Sequence, residues 1–108
     1  MQMVMIYTAC GTLEECKTIS HALLEKRVAA CVNILSPITA MYPWKGKIEE
    51  AHEFPMLIKT LSAHRDEAVQ LIKKHHTYEV PGIIYWQAES LHGDYSEWMK
   101  ENLRTLMQ

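Results

Sequence analysis

The sequence lacks the features that mark nucleic-acid-binding, secreted or membrane proteins. Its 108 residues carry 11 Lys and Arg against 13 Asp and Glu, so it has no basic surplus for a phosphate backbone. Its three cysteines form no C-x-x-C pair, whereas disulfide-stabilised secreted domains have an even and denser set. The first ten residues contain neither a basic segment nor an apolar run long enough for a signal peptide or a membrane span. We therefore expect a cytoplasmic protein that binds neither membranes nor nucleic acid.

Hydrophobic periodicity divides the chain into strands and helices, with no linker long enough to mark a second domain. We therefore treat residues 1–108 as one domain. Thr12 with Glu15, and Asp94 with Glu97, have the spacing of a capping box at a helix start. Pro37 indicates a bulge or an edge position within a strand. We predict strands at residues 3–8, 30–41, 48–60 and 83–86 and a hairpin turn at 44–47. We predict helices from residue 12 to about 28, from 62 to 75 or 76, and from 94 onward.

This order, βαββαβ followed by a helix, predicts an α+β fold of the ferredoxin-like kind. Two right-handed β-α-β units give a four-stranded antiparallel sheet with both helices on one face. The hairpin of residues 30–60 is longer than the strands typical of this class, so it should extend beyond the sheet. Unpaired strand edges associate unless they are covered, and we therefore expect oligomerisation through this hairpin.

The fold serves many functions, and the motifs of three of them are missing. The aromatic pattern of an RNA-recognition motif is absent. The M-x-C-x-x-C of a small metallochaperone is also absent, because Cys10 and Cys16 are six residues apart. The loop TACGTLEE contains no arginine to hold an acyl phosphate.

Cys10, His75 and His76 are the candidate metal ligands. Cys10 follows the first strand and lies near a helix N-terminus, where the helix dipole lowers the pKa of a thiol. His75 and His76 can share one site only if the helix stops there, and Glu79 could then serve as a further ligand. The alternative is one buried histidine bonded to a backbone carbonyl and one histidine in solvent. The residues alone leave both interpretations open.

Aromatic residues flank the hairpin turn and the fourth strand, and they suggest either a ligand cleft or an interface. Interface packing is favoured, and a cleft between subunits would satisfy both interpretations. An enzyme would need Cys31 or Cys10 as nucleophile and His76 as base. Nothing in the sequence places such a pair within reach, so we predict no catalytic residues. The aromatic set is Tyr42, Trp44, Tyr78, Tyr85 and Trp86, with Lys59 at the far end of the return strand.

Five segments, in order and at matching spacing, strongly resemble the CutA family of divalent-cation tolerance proteins. They are EKRVAACVNI (25–34), YPWKGKIEE (42–50), LIKT (57–60), HTYEVPGII (76–84) and DYSEW (94–98). The resemblance implies a ferredoxin-like subunit in a homotrimer whose hairpin strands pair across subunits. It also implies a role in tolerance of copper and other divalent metals.

The resemblance further suggests which residues act. Metal ligation falls on His76, with His75 alongside, and copper or another divalent transition metal is the implied cofactor. Because the trimer resembles that of the PII signalling proteins, ligand binding in subunit clefts is a second implied role. The implied cleft residues are Tyr42, Trp44, Lys59, Tyr78 and Glu79.

The chain departs from the family pattern at several positions. Thr77 replaces a usual proline, Gly82 a usual glutamate and Pro43 a common aromatic. Thr8 stands where some members have a metal-binding cysteine, and Cys10 could substitute for it. Our first hypothesis is a non-catalytic trimer for metal binding and tolerance. The alternative is a signalling or scaffold trimer whose clefts bind a small anionic metabolite or a segment of a partner protein.

Overall fold

A four-strand antiparallel sheet covered by two helices forms the body of the protein in the computed structural model, which describes residues 2–105. The strand order is β2-β4-β1-β5, and the outer strand β3 pairs only with β4. This order confirms the ferredoxin-like prediction. The elements are β1 (Met3–Cys10), α1 (Leu13–Glu25), β2 (Cys31–Ile34), β3 (Ile38–Trp44), β4 (Lys47–Leu61), α2 (Arg65–His75), β5 (Ile83–Ala88) and α3 (Gly93–Asn102).

The main core lies between β1, β4 and the two helices. Side chains of β1 alternate between buried and half-buried, which places Ile6 and Cys10 on the helix side of the sheet. Helix α1 supplies Ile19 and Leu23, and α2 supplies Ile72, because residues at helical spacing share one face. A second cluster of Ala30, Leu61, Met99 and Leu103 fixes α3 at the other end of the sheet.

The predicted strand at residues 30–41 is two strands, and the break contains Pro37. Ile34 pairs with Met56 and Ile38 pairs with Glu53. Between these two pairs, three residues of the β2–β3 segment lie opposite only two residues of β4. One extra residue in a ladder is a β-bulge, as Pro37 predicted. Beyond the bulge, β3 and the first half of β4 form an arm that projects from the body and gives the chain its long axis of 47 Å.

Two predicted helix boundaries were wrong. Helix α1 ends at Glu25 rather than residue 28, because Arg27 takes a positive φ of 58° and Val28 donates back to Leu23 O at 3.1 Å. Helix α3 begins at Gly93, where the ring of His92 accepts the Asp94 N–H at 3.2 Å, so Asp94 lies in the first turn and is not the cap. Helix α2 follows a 3₁₀ turn at Ser62–His64 and ends at His75, as predicted.

Candidate metal centre and adjoining cleft

Cys10, Glu15 and His76 meet at one end of the sheet. They form a group of potential metal-ligating atoms within 4.8 Å of one another. The Sγ of Cys10 lies 3.9 Å from Nε2 of His76, and a carboxylate oxygen of Glu15 lies 3.3 Å from Nδ1 of the same ring. Cys10 is the last residue of β1, Glu15 lies in the first turn of α1, and His76 follows α2. Three elements therefore deliver one ligand each.

Local structure explains why Glu15 joins this group. Thr12 caps α1 as predicted, since its hydroxyl accepts the Glu15 N–H at 3.1 Å. The Glu15 side chain does not complete the predicted capping box and instead reaches the loop after α2. There it accepts the Thr77 hydroxyl at 2.5 Å and the Thr77 N–H at 3.2 Å. Thr77 thus ties the loop after α2 to the start of α1.

His76 is held by its own hydrogen bonds. The backbone N–H of Tyr78 donates to Nδ1 at 3.3 Å, so Nδ1 carries a lone pair, and Nε2–H donates to the carbonyl of Ala9 at 3.0 Å. The side chain is fully buried, whereas His75 is half-exposed and lies outside the group. The structure separates the two histidines, and it matches the alternative of one buried histidine bonded to a backbone carbonyl.

The charge state of Cys10 differs from the sequence-based expectation. Cys10 ends the strand instead of lying in the following loop, and it is fully buried. Burial raises the pKa of the Cys10 thiol far above its usual range, and the nearby Cys16 and Glu15 raise it further. A proton therefore stays on the sulfur at neutral pH. Although the structure does bring Cys10 within 3.9 Å of His76, a buried neutral thiol is not a nucleophile.

Glu15 supplies the fixed negative charge of the cluster. Burial acts to raise the pKa of its carboxyl, but the two hydrogen bonds from Thr77, together with the effects of Cys10 and His76, outweigh burial, and the net pKa lies below its ordinary value. The carboxylate is therefore ionised at neutral pH and lies against one ring nitrogen of His76.

The donor set fits a transition metal better than a hard cation. Thiolate, imidazole and carboxylate together suit zinc or copper, whereas magnesium and calcium prefer oxygen ligands alone. In a tetrahedral site, sulfur and nitrogen ligands lie about 3.6 Å apart, close to the 3.9 Å between Cys10 Sγ and His76 Nε2. The thioether of Met56 lies 3.9 Å from Cys10 Sγ and adds a further soft donor beside the cluster.

A cleft of about 650 Å³ adjoins this cluster. Four of the five predicted cleft residues line it, namely Tyr42, Trp44, Tyr78 and Glu79. Lys59 does not, because it lies at the far end of β4, where its Nζ is 5.8 Å from the ring centroid of Tyr95. Tyr7, Glu49 and Glu53 also line the cleft and were not predicted. The alternation of side chains along β1 and β4, which places them on the same face of the sheet, was the signal that indicated them.

Tyr78 forms the wall between the cluster and the cleft. Its backbone N–H bonds His76, its ring centroid lies 4.9 Å from that of His76, and its hydroxyl donates to Glu53 at 2.8 Å. Burial and the Glu53 carboxylate raise the pKa of the Tyr78 phenol, which stays protonated and remains a donor. The two candidate sites are therefore direct neighbours.

Comparison with known proteins identifies the family. Residues 4–102 match the family model of the CutA1 divalent ion tolerance protein. The chain belongs to the CutA1 family. It is 40% identical over 98 residues to the divalent-cation tolerance protein CutA of Archaeoglobus fulgidus, covering 91% of this chain and 95% of that protein. It is 38% identical over 95 residues to human protein CutA, covering 88% of this chain.

A solved CutA structure confirms the fold of this chain. The Archaeoglobus fulgidus structure, described as a periplasmic divalent cation tolerance protein, superposes with a TM-score of 0.90 at 38% identity, covering 94% of this chain and 99% of that one. The chain spans only 53% of the human relative and 54% of the mouse relative. The family is named for tolerance of divalent ions and not for a reaction. Within residues 2–105, no helix is long and apolar enough to cross a membrane.

The departures from the CutA pattern lie around these two sites. Thr77, in place of the expected proline, supplies both hydrogen bonds to Glu15. Gly82, in place of the expected glutamate, lines the cleft, and its carbonyl accepts the Thr8 hydroxyl at 2.7 Å. No atom lies within 4 Å of a Cβ added at Gly82, so the position has room for a side chain.

Proposed function

We propose that this CutA protein binds a divalent transition metal, copper or zinc, through Cys10, Glu15 and His76, and that it contributes to metal tolerance without catalysis. The observation that carries the proposal is the convergence of one thiol, one carboxylate and one imidazole within 4.8 Å. Two predicted ligands, Cys10 and His76, belong to this group, and the structure adds Glu15. His75 and Glu79 are not part of the proposed site.

Metal binding at this site has a chemical requirement. The Cys10 thiol must lose its proton, and Nε2 of His76 must give up its bond to the Ala9 carbonyl. With Nε2 as the ligand, the ring proton moves to Nδ1, which then loses its hydrogen bond from the Tyr78 N–H. Glu15, beside Nδ1, is placed either to ligate or to accept a hydrogen bond from the new Nδ1–H and orient the ring, as carboxylates do for metal-bound histidines. The affinity therefore equals the free energy gained from the metal–ligand bonds less the free energy needed to deprotonate Cys10 and to break the hydrogen bonds with Ala9 and Tyr78.

Each proposed ligand has a control of the same residue type outside the proposed site. We would titrate Co²⁺, Zn²⁺ and Cu²⁺ into Cys10→Ser, Glu15→Gln and His76→Ala, with Cys31→Ser, Glu14→Gln and His75→Ala as controls. We expect each test variant to weaken binding about tenfold or more and each control to match the wild type. The thiolate-to-cobalt absorption band should vanish only in Cys10→Ser. Equal affinities in the test and control variants would refute the site.

We further propose that the functional unit is a homotrimer. Apolar side chains lie exposed on the arm and on β5, including Met41 at 65%, Ile48 at 77% and Ile84 at 59% exposure, and exposed apolar strand edges favour pairing with another chain. Membership in the CutA1 family supports the same assembly. Sedimentation equilibrium should give three times the chain mass of 12.5 kDa. A monomer at micromolar concentration would contradict the proposal.

The cytoplasm is the proposed location. The support is that Cys10, Cys16 and Cys31 are all free thiols in the structure, as expected in a reducing compartment. The Archaeoglobus fulgidus relative is described as periplasmic, so cell fractionation of the tagged native protein is the direct test. Recovery outside the cytoplasmic fraction would contradict this proposal without affecting the metal site.

A further inference from the structure

The lining of the cleft beside Tyr78 has a chemistry that the metal cluster does not explain. Its polar side chains include the carboxylates of Glu49, Glu53 and Glu79, and its walls include the rings of Tyr7, Tyr42, Trp44 and Tyr78. Among the described residues that line it, none is Lys, Arg or His. A small anion would be repelled here, so the lining contributed by one chain disfavours the anionic metabolite considered above.

Backbone geometry spreads the carboxylates along the cleft. Glu49 and Glu53 lie on the same face of β4, because they are four residues apart in an extended strand. Their Cα atoms are therefore about 13 Å apart, at roughly 3.3 Å per residue. Tyr78 fixes the Glu53 carboxylate through the 2.8 Å bond from its hydroxyl. Two negative charges thus stand at separated points along one wall.

The opposite strand supplies aromatic faces on the same side. Tyr42 pairs directly with Glu49 in the ladder between β3 and β4, and Trp44 is two residues further on. Indole and phenol rings attract ammonium groups through their negative faces. The Nζ of Lys45 lies 5.7 Å from the ring centroid of Trp44, which is within the range of a cation–π contact. The cleft therefore combines charge and aromatic attraction for ammonium groups.

We propose that this cleft binds an organic polycation of the aliphatic polyamine class. Such a molecule carries ammonium groups separated by short alkyl segments, which match separated carboxylates and apolar rings between them. The volume of about 650 Å³ accommodates a ligand of this size. The site is distinct from the metal cluster, because its ligands are Glu49, Glu53 and Trp44 rather than Cys10 and His76.

The proposal is tested by calorimetric titration of spermidine into the assembled protein. We expect saturable binding that weakens with added salt, with at most one molecule per chain, and no binding of 1,8-octanediol or glutarate. The double variant Glu49→Gln/Glu53→Gln should bind spermidine about tenfold more weakly, as expected for the loss of two partly exposed charge pairs. Glu50→Gln is the matched control, because Glu50 is exposed on the opposite face of the same strand, and it should bind as the wild type does.

Several results would overturn the proposal. The first is the absence of spermidine binding, which would also result if a neighbouring copy of the chain filled the cleft. The second is a loss of spermidine affinity in Glu50→Gln equal to that in the double variant. The third is binding of glutarate that is tighter than that of spermidine, or binding of Mg²⁺ that is equally tight at the same carboxylates. Cys10→Ser should retain spermidine binding even where it loses metal. Failure of one site therefore leaves the other measurable.

Discussion

Thr77 provides a direct test of how the loop after α2 is held in place. Its hydroxyl donates to one oxygen of Glu15 at 2.5 Å, and its backbone N–H donates to the other at 3.2 Å. The substitution Thr77→Val removes the hydroxyl and keeps the shape of the side chain and the backbone bond. It isolates one hydrogen bond to a charged acceptor.

The expected cost follows from the surroundings of that bond. A hydrogen bond to a charged group contributes about 1.5–3 kcal/mol when it is buried. The Glu15 side chain is only 9% exposed, but Thr77 is exposed, so water can replace its hydroxyl. We therefore expect Thr77→Val to lower the free energy of unfolding by about 1 kcal/mol at pH 7.

The pH dependence separates this explanation from a loss of packing. The folded pKa of Glu15 lies below its ordinary value of 4.5, so its bonds stabilise the protein above pH 4.5 and lose this effect as pH falls through the folded pKa. We would measure urea unfolding at equal protein concentration at pH 7 and pH 3.5. The difference between wild type and Thr77→Val should shrink at the lower pH. A difference that is unchanged between the two pH values would refute the reasoning.

Three further predictions address the rest of the fold. His64 is 5% exposed, and burial together with the positive charge of Arg104 lowers its pKa below 6.5. As the pH falls, the imidazole of His64 therefore takes up a proton in the unfolded chain before it does so in the folded chain. The stability of the wild type should fall below pH 6.5, and that of His64→Phe should fall less steeply. Thermal unfolding at several pH values would show the difference. Leu23→Ala should lower the free energy of unfolding in urea by about 2–5 kcal/mol, because Leu23 is fully buried. Leu24→Ala is the control and should lower it by only about 0.5 kcal/mol, because Leu24 is 42% exposed. Thr12→Ala should lower the free energy of unfolding by about 1 kcal/mol in the same assay, because the Thr12 hydroxyl caps the Glu15 N–H. An unchanged free energy of unfolding would contradict the role of Thr12 as the cap.

The fold could be predicted because its patterns are local. Alternation in β1 and the helical stripes of α1 and α2 each follow from residues close in sequence, and the bulge follows from the fixed ring of Pro37. The end of α1 could not be predicted, because Arg27 adopts a left-handed conformation that its residue type disfavours. Its side chain bonds the carbonyls of Glu101 and Asn102 at the end of α3, a partner that is distant in sequence.

The candidate site was only partly predictable for the same reason. Cys10 and His76 were found by residue type, but the spacing Thr12 to Glu15 indicates a capping box and gives no sign that Glu15 bonds Thr77, 62 residues away. The pKa of Cys10 was predicted with the wrong sign. The helix dipole depends on sequence position, whereas burial depends on what packs around the sulfur, and here burial dominates.

The sequence by itself determined the family, the order of strands and helices, and the residue types able to bind metal. Only the tertiary structure decided which of these residues meet. It brought Glu15 to His76, left His75 outside the group, and placed Lys59 away from the cleft that Glu49 and Glu53 line. The physical reason is that local propensity follows from neighbours in sequence. Ligand geometry, burial and charge instead follow from contacts between elements that the chain connects over tens of residues.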